Sequence, residues 1–126
     1  MFLFDEQDGV GMTTLRVRDY AAAPGGRYRK DGPYSGEEYR DDVLVPVLLA
    51  AVGRNEQVVV ELDGVSGYGS SFLEEVFGGL VRRGVVAQKD IGRVLRVLAK
   101  EHLFKPQQML VERYMQKAQA ETMPQR

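Results

Sequence analysis

The run Val58-Val59-Val60, inside residues 56–62, constrains this chain more than any other feature. Three consecutive β-branched residues lose little in a pleated strand and more in a helix. Unbroken apolarity, rather than alternation, marks a central strand covered on both faces. Asp63-Gly64 ends it, the loop Val65-Ser66-Gly67-Tyr68-Gly69 follows, and Ser70-Ser71 open a helix over residues 71–83. Phe72, Leu73, Val76, Phe77, Leu80 and Val81 recur there at helical spacing and form one apolar stripe. Ser71 and Glu74 have the spacing of a capping box, Ser70 competes as N-cap, and Gly84 stops the helix. Gly78 and Gly79 lie in its interior, where each costs about 0.8–1 kcal/mol relative to alanine, so the pair predicts close approach of another backbone.

The flanking segments fit the same class. Leu15 and Val17 alternate with Arg16 and Arg18, the period of a half-buried strand over residues 13–18. With the apolar Phe2-Leu3-Phe4 this predicts a hairpin over 2–18, its turn at Asp8-Gly9-Val10-Gly11. Pro24-Gly25-Gly26 and Asp31-Gly32-Pro33 make residues 21–34 a loop. Ser35-Gly36-Glu37-Glu38 reads as a capping box opening a helix over 37–52. Tyr39, Val43, Val47 and Ala50/Ala51 are its expected stripe, Pro46 its kink and Gly53 its stop. Residues 85–90 read as a connection and 93–99 as a third strand. Residues 107–119 read as an amphipathic helix, with Met109, Leu110, Tyr114 and Ala118 on one side and Pro106 at its start. Residues 121–126 are expected to fray. Helices alternating with strands predict an α/β fold: one domain over 1–126 with its core at about 13–120, and a mixed sheet packed against helices.

Composition narrows the chemistry. Among 126 residues there are no cysteines and one histidine, His102. Disulfides, zinc–thiolate sites and thiol nucleophiles are thereby removed, and no multi-histidine metal site fits within one chain. His102 beside Glu101 reads as a surface residue rather than a general base. Asp63, Glu74 and Glu75 offer the oxygen ligands that Mg²⁺ takes. Glu74 and Glu75 lie about 100° apart around a helix, so dipole stabilisation is the simpler role. No metal and no cofactor are expected, and the chain reads as a binder rather than an enzyme. The start Met1-Phe2-Leu3-Phe4-Asp5-Glu6 lacks a basic leader, and no apolar run approaches ~20 residues, so a cytoplasmic, non-membrane protein is expected.

Two binding surfaces follow from the residues. Ser70 and Ser71 stand where free N–H groups and the helix dipole favour anions, so a phosphoryl group there would be partly stabilised. It would also add about 1.5–2 negative charges to that surface. The other candidate is the basic and aromatic run Arg27-Tyr28-Arg29-Lys30 between two turns, with Arg27, Arg29 and Lys30 as anion ligands. Charge supports it unevenly. Residues 1–80 hold 7 Lys/Arg against 14 Asp/Glu, and residues 81–126 hold 10 against 4, so a basic C-terminal third is open to nucleic acid.

The arrangement of strand, Asp63-Gly64-Val65, loop, Ser70-Ser71 and apolar helix resembles the STAS domain (sulfate transporter and anti-sigma factor antagonist). The run Ser70-Ser71-Phe72-Leu73-Glu74-Glu75 with Phe77-Gly78-Gly79-Leu80 is similar to the bacterial STAS-like family of unknown function. Asp31-Gly32-Pro33, Ser35-Gly36-Glu37 and Pro46 extend the resemblance over roughly residues 13–120. In anti-sigma factor antagonists the matching loop carries Asp-Ser-Ser-Gly, and a partner kinase of the GHKL ATPase type phosphorylates the first serine. Ser70 takes that position here, Gly69 stands where those proteins have aspartate, and Phe72 where they have glycine.

The resemblance thus implies a regulatory protein-binding module, switched at Ser70 or Ser71 by a GHKL-type partner. Asp63, Gly67, Tyr68, Gly69, Phe72, Glu74 and Glu75 would form the docking surface. The alternatives are a nucleic-acid or nucleotide-binding accessory protein, and a homo-oligomer formed through the Gly-Gly helix or a free strand edge.

Overall fold

The computed structural model describes residues 11–122. Strand β1 (Met12–Arg16) passes into a one-turn helix α1 (Val17–Tyr20). Helix α2 is continuous but has three parts: an α-turn Gly36–Tyr39, a π-turn Arg40–Leu44 and an α-segment Val45–Arg54. Strand β2 (Gln57–Glu61) follows. Helix α3 repeats the pattern, with Ser70–Leu73, a π-turn Glu74–Gly78 and Gly79–Arg83. Helix α4 (Gln88–Val94), strand β3 (Leu95–Leu98) and helix α5 (Lys105–Thr122) complete the described chain.

The strands form one sheet in the order β1-β2-β3, both pairs parallel, with Thr13 opposite Val58 and Val58 opposite Leu95. This is the α/β architecture that the central valine run predicts. An antiparallel pair would need the expected hairpin arm at residues 2–10, which lies outside the described residues. Val58 and Val60 join the core beneath the helices, with Leu15 and Val97 packed beside them. Val59 points to the opposite face and is still only 3% exposed, which is why the run carries no polar alternation.

Helix α2 departs from its expected stripe for a reason visible in its backbone. Tyr39, Leu44, Leu48 and Ala51 are buried, whereas Val43 and Val47 are half-buried and Ala50 is exposed. The π-turn inserts one residue after Tyr39, so every later apolar position moves round by one. Pro46 sits in the first turn of the α-segment that follows, directly after the π-turn and inside the continuous helix. The helix ends at Asn55 (φ 55°), not Gly53; the Glu56 N–H donates to Ala51 O at 2.8 Å, a left-handed close.

The C-terminal half corrects three expectations. Residues 88–94 are helical, so β3 begins only at Leu95. Helix α5 starts at Lys105 and buries Val111 and Ala118, while Met109 is 57% exposed. Thr122 is still helical and accepts a hydrogen bond from Gln88 Nε2 at 3.0 Å, which ties the end of α5 to α4; residues 123–126 lie outside the described residues. No helix of the described residues is long and apolar enough to cross a membrane.

Candidate functional site

The loop after β2 is held at both ends and open in between. Asp63 is 6% exposed, and its carboxylate accepts the N–H groups of Lys100 (3.0 Å) and Glu101 (2.9 Å). It therefore joins the ends of two neighbouring strands rather than facing a partner. The Tyr68 hydroxyl donates to Leu62 O at 2.7 Å, and its ring packs on Phe72 and Phe104. The Ser66 N–H donates to Ala22 O at 2.8 Å. Between these anchors Ser66, Gly67, Gly69, Ser70 and Ser71 are exposed, and Phe72 behind them is buried.

The start of α3 is not capped as its sequence suggests. Gly69 is the N-cap, with extended backbone (φ −77°, ψ 145°), and no side chain accepts from the first turn. Ser70 and Ser71 lie inside that turn, and neither hydroxyl is hydrogen-bonded within the described residues. The capping box between Ser71 and Glu74 does not form, because Glu74 turns toward two arginines.

Those arginines belong to an ionic cluster that the sequence conceals. Arg40, only 1% exposed, donates to Glu75 Oε2 and to Glu75 O (3.1 Å), while its Nε donates to Asp41 at 2.8 Å. Arg27 reaches from the loop to Glu74 (2.6 Å) and Glu75 (3.1 Å), and Arg82 takes Glu74 in a fork. Arg40 opens the π-turn of α2, and Glu74 and Glu75 open that of α3, so the two irregular turns meet through their charges. Arg82, and next Arg27, hold the Glu74 carboxyl below the ordinary carboxylate range. Three arginines against Glu74, Glu75 and Asp41 leave the cluster neutral, the condition under which buried charge is tolerable.

The glycines are explained by this cluster. A Cβ on Gly79 would stand 2.5 Å from Arg40 Nη1, and one on Gly78 would strike the Glu74 carboxylate. What approaches Gly78-Gly79 closely is therefore side-chain charge, not another backbone. Another helix backbone does approach closely at Gly36, where a Cβ would come within 2.7 Å of Phe72 O. Ser35 opens α2 as expected, its Oγ accepting from Glu38 N at 3.0 Å.

The predicted docking residues thus separate. Gly67, Gly69, Ser70 and Ser71 share one exposed segment; Tyr68 and Phe72 anchor it; Asp63, Glu74 and Glu75 are engaged internally. Among the described residues no group of three or more acidic or histidine side chains could hold a metal ion. Of the basic loop, Arg27 is paired as above, Arg29 forms a fork with Asp42 (2.7 and 3.1 Å), and Lys30 lies over the Tyr28 ring. His102 is exposed in a 3₁₀ turn. Edge-on and tilted ring contacts run from Tyr34 through Tyr20, Tyr39 and Phe72 to Tyr68.

Searches of curated proteins and of solved structures returned no match. A family model does match, from the Ser35 cap through β2, the open loop and all of α3 to Ile91 in α4. Residues 35–91 are similar to a family described as a STAS-like domain of unknown function.

Proposed function

We propose that this protein is a non-enzymatic, cytoplasmic regulatory module that docks a protein partner on residues 66–71 and the start of α3. Ser70 is its switch residue, with Ser71 the secondary candidate. The observation that carries this reading is the pair of unbonded serine hydroxyls in the uncapped first turn of a long helix. Exposure gives a kinase access, and the first-turn N–H groups would partly stabilise the added phosphoryl group. The rigid anchors on either side, Asp63 and Tyr68, keep the segment in one presentation, which lowers the ordering cost of docking.

The resemblance to anti-sigma factor antagonists makes a GHKL-type ATPase or kinase the partner class. Gly69 in place of their aspartate leaves the loop without its own negative charge, so the phosphate becomes the main electrostatic change on this surface. The nucleic-acid alternative draws less support, because Arg27 and Arg29 are already paired with carboxylates.

The test is calorimetric titration of GHKL-type ATPases from the source organism into wild-type protein and into Ser70→Glu and Ser70→Ala variants. Binding by the wild type and Ser70→Ala with loss in Ser70→Glu is expected. Equal binding by all three, or none by any, would remove the switch.

A further inference from the structure

The basic end of the chain keeps cations that the fold does not absorb. Of the Lys and Arg in residues 81–126, Arg82, Arg93 and Lys100 are held in ion pairs. Arg83, Lys89, Lys105, Arg113 and Lys117 are exposed and make no ion pair among the described residues. Three of these five stand on one line. Lys105, Met109, Arg113 and Lys117 recur at every fourth position along α5, so they form a single ridge of that helix. All four are exposed, while Val111 and Ala118 on the other side hold the helix to the core. The ridge rises about 6 Å from each of these residues to the next. Its following member is Glu121, whose charge acts on Arg82 of α3. Glu112 lies off the ridge, in the groove that Gln108 and Met115 share with β3.

Apolar surface accompanies the charge. Leu103 (74% exposed) and Met109 (57%) are the two most exposed large apolar side chains among the described residues, and both stand at the start of α5. Pro106 and Leu110 belong to the neighbouring ridge. Between the two ridges Pro106, Met109, Leu110 and Arg113 line a recess of about 270 Å³. A lone exposed apolar residue is ordinary, whereas several about one recess mark a contact surface. The unbranched thioether of Met109 adapts to whatever side chain enters.

The order of cation, apolar residue, cation, cation selects the occupant. Nucleic acid would meet the cations but has little to set against Leu103 and Met109, and among the described residues no aromatic ring lines the recess for a base to stack on. An anionic bilayer takes a continuous apolar face with cations outside it. Here Arg113 lines the recess itself and Met109 stands between cations. An amphipathic helix with acidic residues matches every element: one aliphatic side chain fills the recess, and carboxylates one turn to either side of it reach the cations.

We propose that the outer face of α5, from Leu103 to Lys117, docks an acidic amphipathic helix of a partner protein. A bulky aliphatic side chain of that helix enters the recess at Met109, and its flanking carboxylates pair with Lys105 and Arg113. This surface is separate from the serine loop and does not depend on Ser70.

The experiment is an amide-resolved NMR titration of the full chain at low salt. The probes are a blocked alanine-based helical peptide with Glu, Leu and Glu at four-residue intervals, its Gln-for-Glu and Ala-for-Leu analogues, a short DNA duplex, and vesicles of phosphatidylserine and phosphatidylcholine. The Glu peptide is expected to shift the amides of residues 103–117. Gln for Glu should weaken binding about five- to tenfold, since an exposed ion pair is worth up to about fivefold. Ala for Leu should weaken it about tenfold or more, the loss expected for one buried leucine. Lys105→Gln with Arg113→Gln, both at exposed side chains, should weaken the Glu peptide and leave the Gln peptide unchanged. No shifts in residues 103–117 with the Glu peptide, equal binding of the Glu and Gln peptides, or an equal loss of both in the variant would overturn the site. Shifts there from the duplex or the vesicles, with none from the Glu peptide, would overturn the protein partner.

Discussion

Replacing Gly79 by alanine sets two effects of known size against each other. Helix propensity alone favours the substitution by about 0.8–1 kcal/mol, since Gly79 has ordinary helical backbone (φ −62°, ψ −36°). Against this, the new Cβ would lie 2.5 Å from Arg40 Nη1 and 3.2 Å from Glu75 Oε2. Arg40 is 1% exposed and held by bonds to Glu75 and Asp41, so it cannot move aside without losing charge-assisted hydrogen bonds. Losing one costs about 1.5–3 kcal/mol, and separating a buried pair outright costs about 3–5 kcal/mol. The net expectation is destabilisation by about 1–3 kcal/mol. Gly53 is the control: it lies in α2, is exposed, and a Cβ there meets nothing within 4 Å. Gly53→Ala should therefore stabilise by about 0.5–1 kcal/mol. Urea unfolding reads both, and with a slope of roughly 1.5 kcal/mol/M the midpoints should move apart, Gly79→Ala down by about 1 M and Gly53→Ala up by about 0.5 M. A Gly79→Ala midpoint equal to or above the wild type would refute the claim that this glycine exists to admit Arg40.

Other consequences follow from the same geometry. Arg40→Ala should cost about 3–5 kcal/mol in urea melts because it leaves Glu75 buried and unpaired, whereas Arg40→Met with Glu75→Met should cost far less. The Glu74 carboxyl has a lowered folded pKa, so its contribution is present above the unfolded carboxylate range, near pH 4.3–4.5, and is lost as pH falls through the folded value. Wild-type stability should therefore decline more steeply than that of Glu74→Gln between about pH 5 and 3, and parallel curves would contradict the pairing. Asp63→Ala should cost about 2–3 kcal/mol by freeing the Lys100 and Glu101 amides, measured by melting and by faster hydrogen exchange at those two positions. Ser70→Glu, at an exposed and unbonded side chain, should change stability by less than about 0.5 kcal/mol in the same melts.

How much of this was legible in the sequence depended on the kind of signal. Val58-Val59-Val60 announced the central strand because burial on both faces removes every polar position, and Gly84 marked the end of α3 through its left-handed φ of 68°. The π-turns left no trace, since periodicity assumes 3.6 residues per turn and an inserted residue merely shifts a face. The inward turn of Arg40 therefore left no mark in the spacing of the apolar residues. Helix α4 was hidden by Gln88-Lys89-Asp90 and Gly92, which look like a loop until Ile91 and Val94 are seen buried. The serines do lie at a helix start, as their spacing indicated, but the expected capping box is absent, and Glu74 is held by Arg82 and Arg27. Part of the charge imbalance between the two ends also dissolves internally: Arg82 with Glu74 and Lys100 with Glu61 join the basic third to the acidic remainder.

Phosphate transfer to the open loop tests the central proposal most directly. The protein is incubated with ATP and each GHKL-type ATPase of the source organism, followed by intact-mass measurement and fragmentation. A single phosphate on Ser70 in one of these reactions, absent in Ser70→Ala, is the predicted result. An unmodified mass in every reaction, or a phosphate outside residues 66–71, would contradict it.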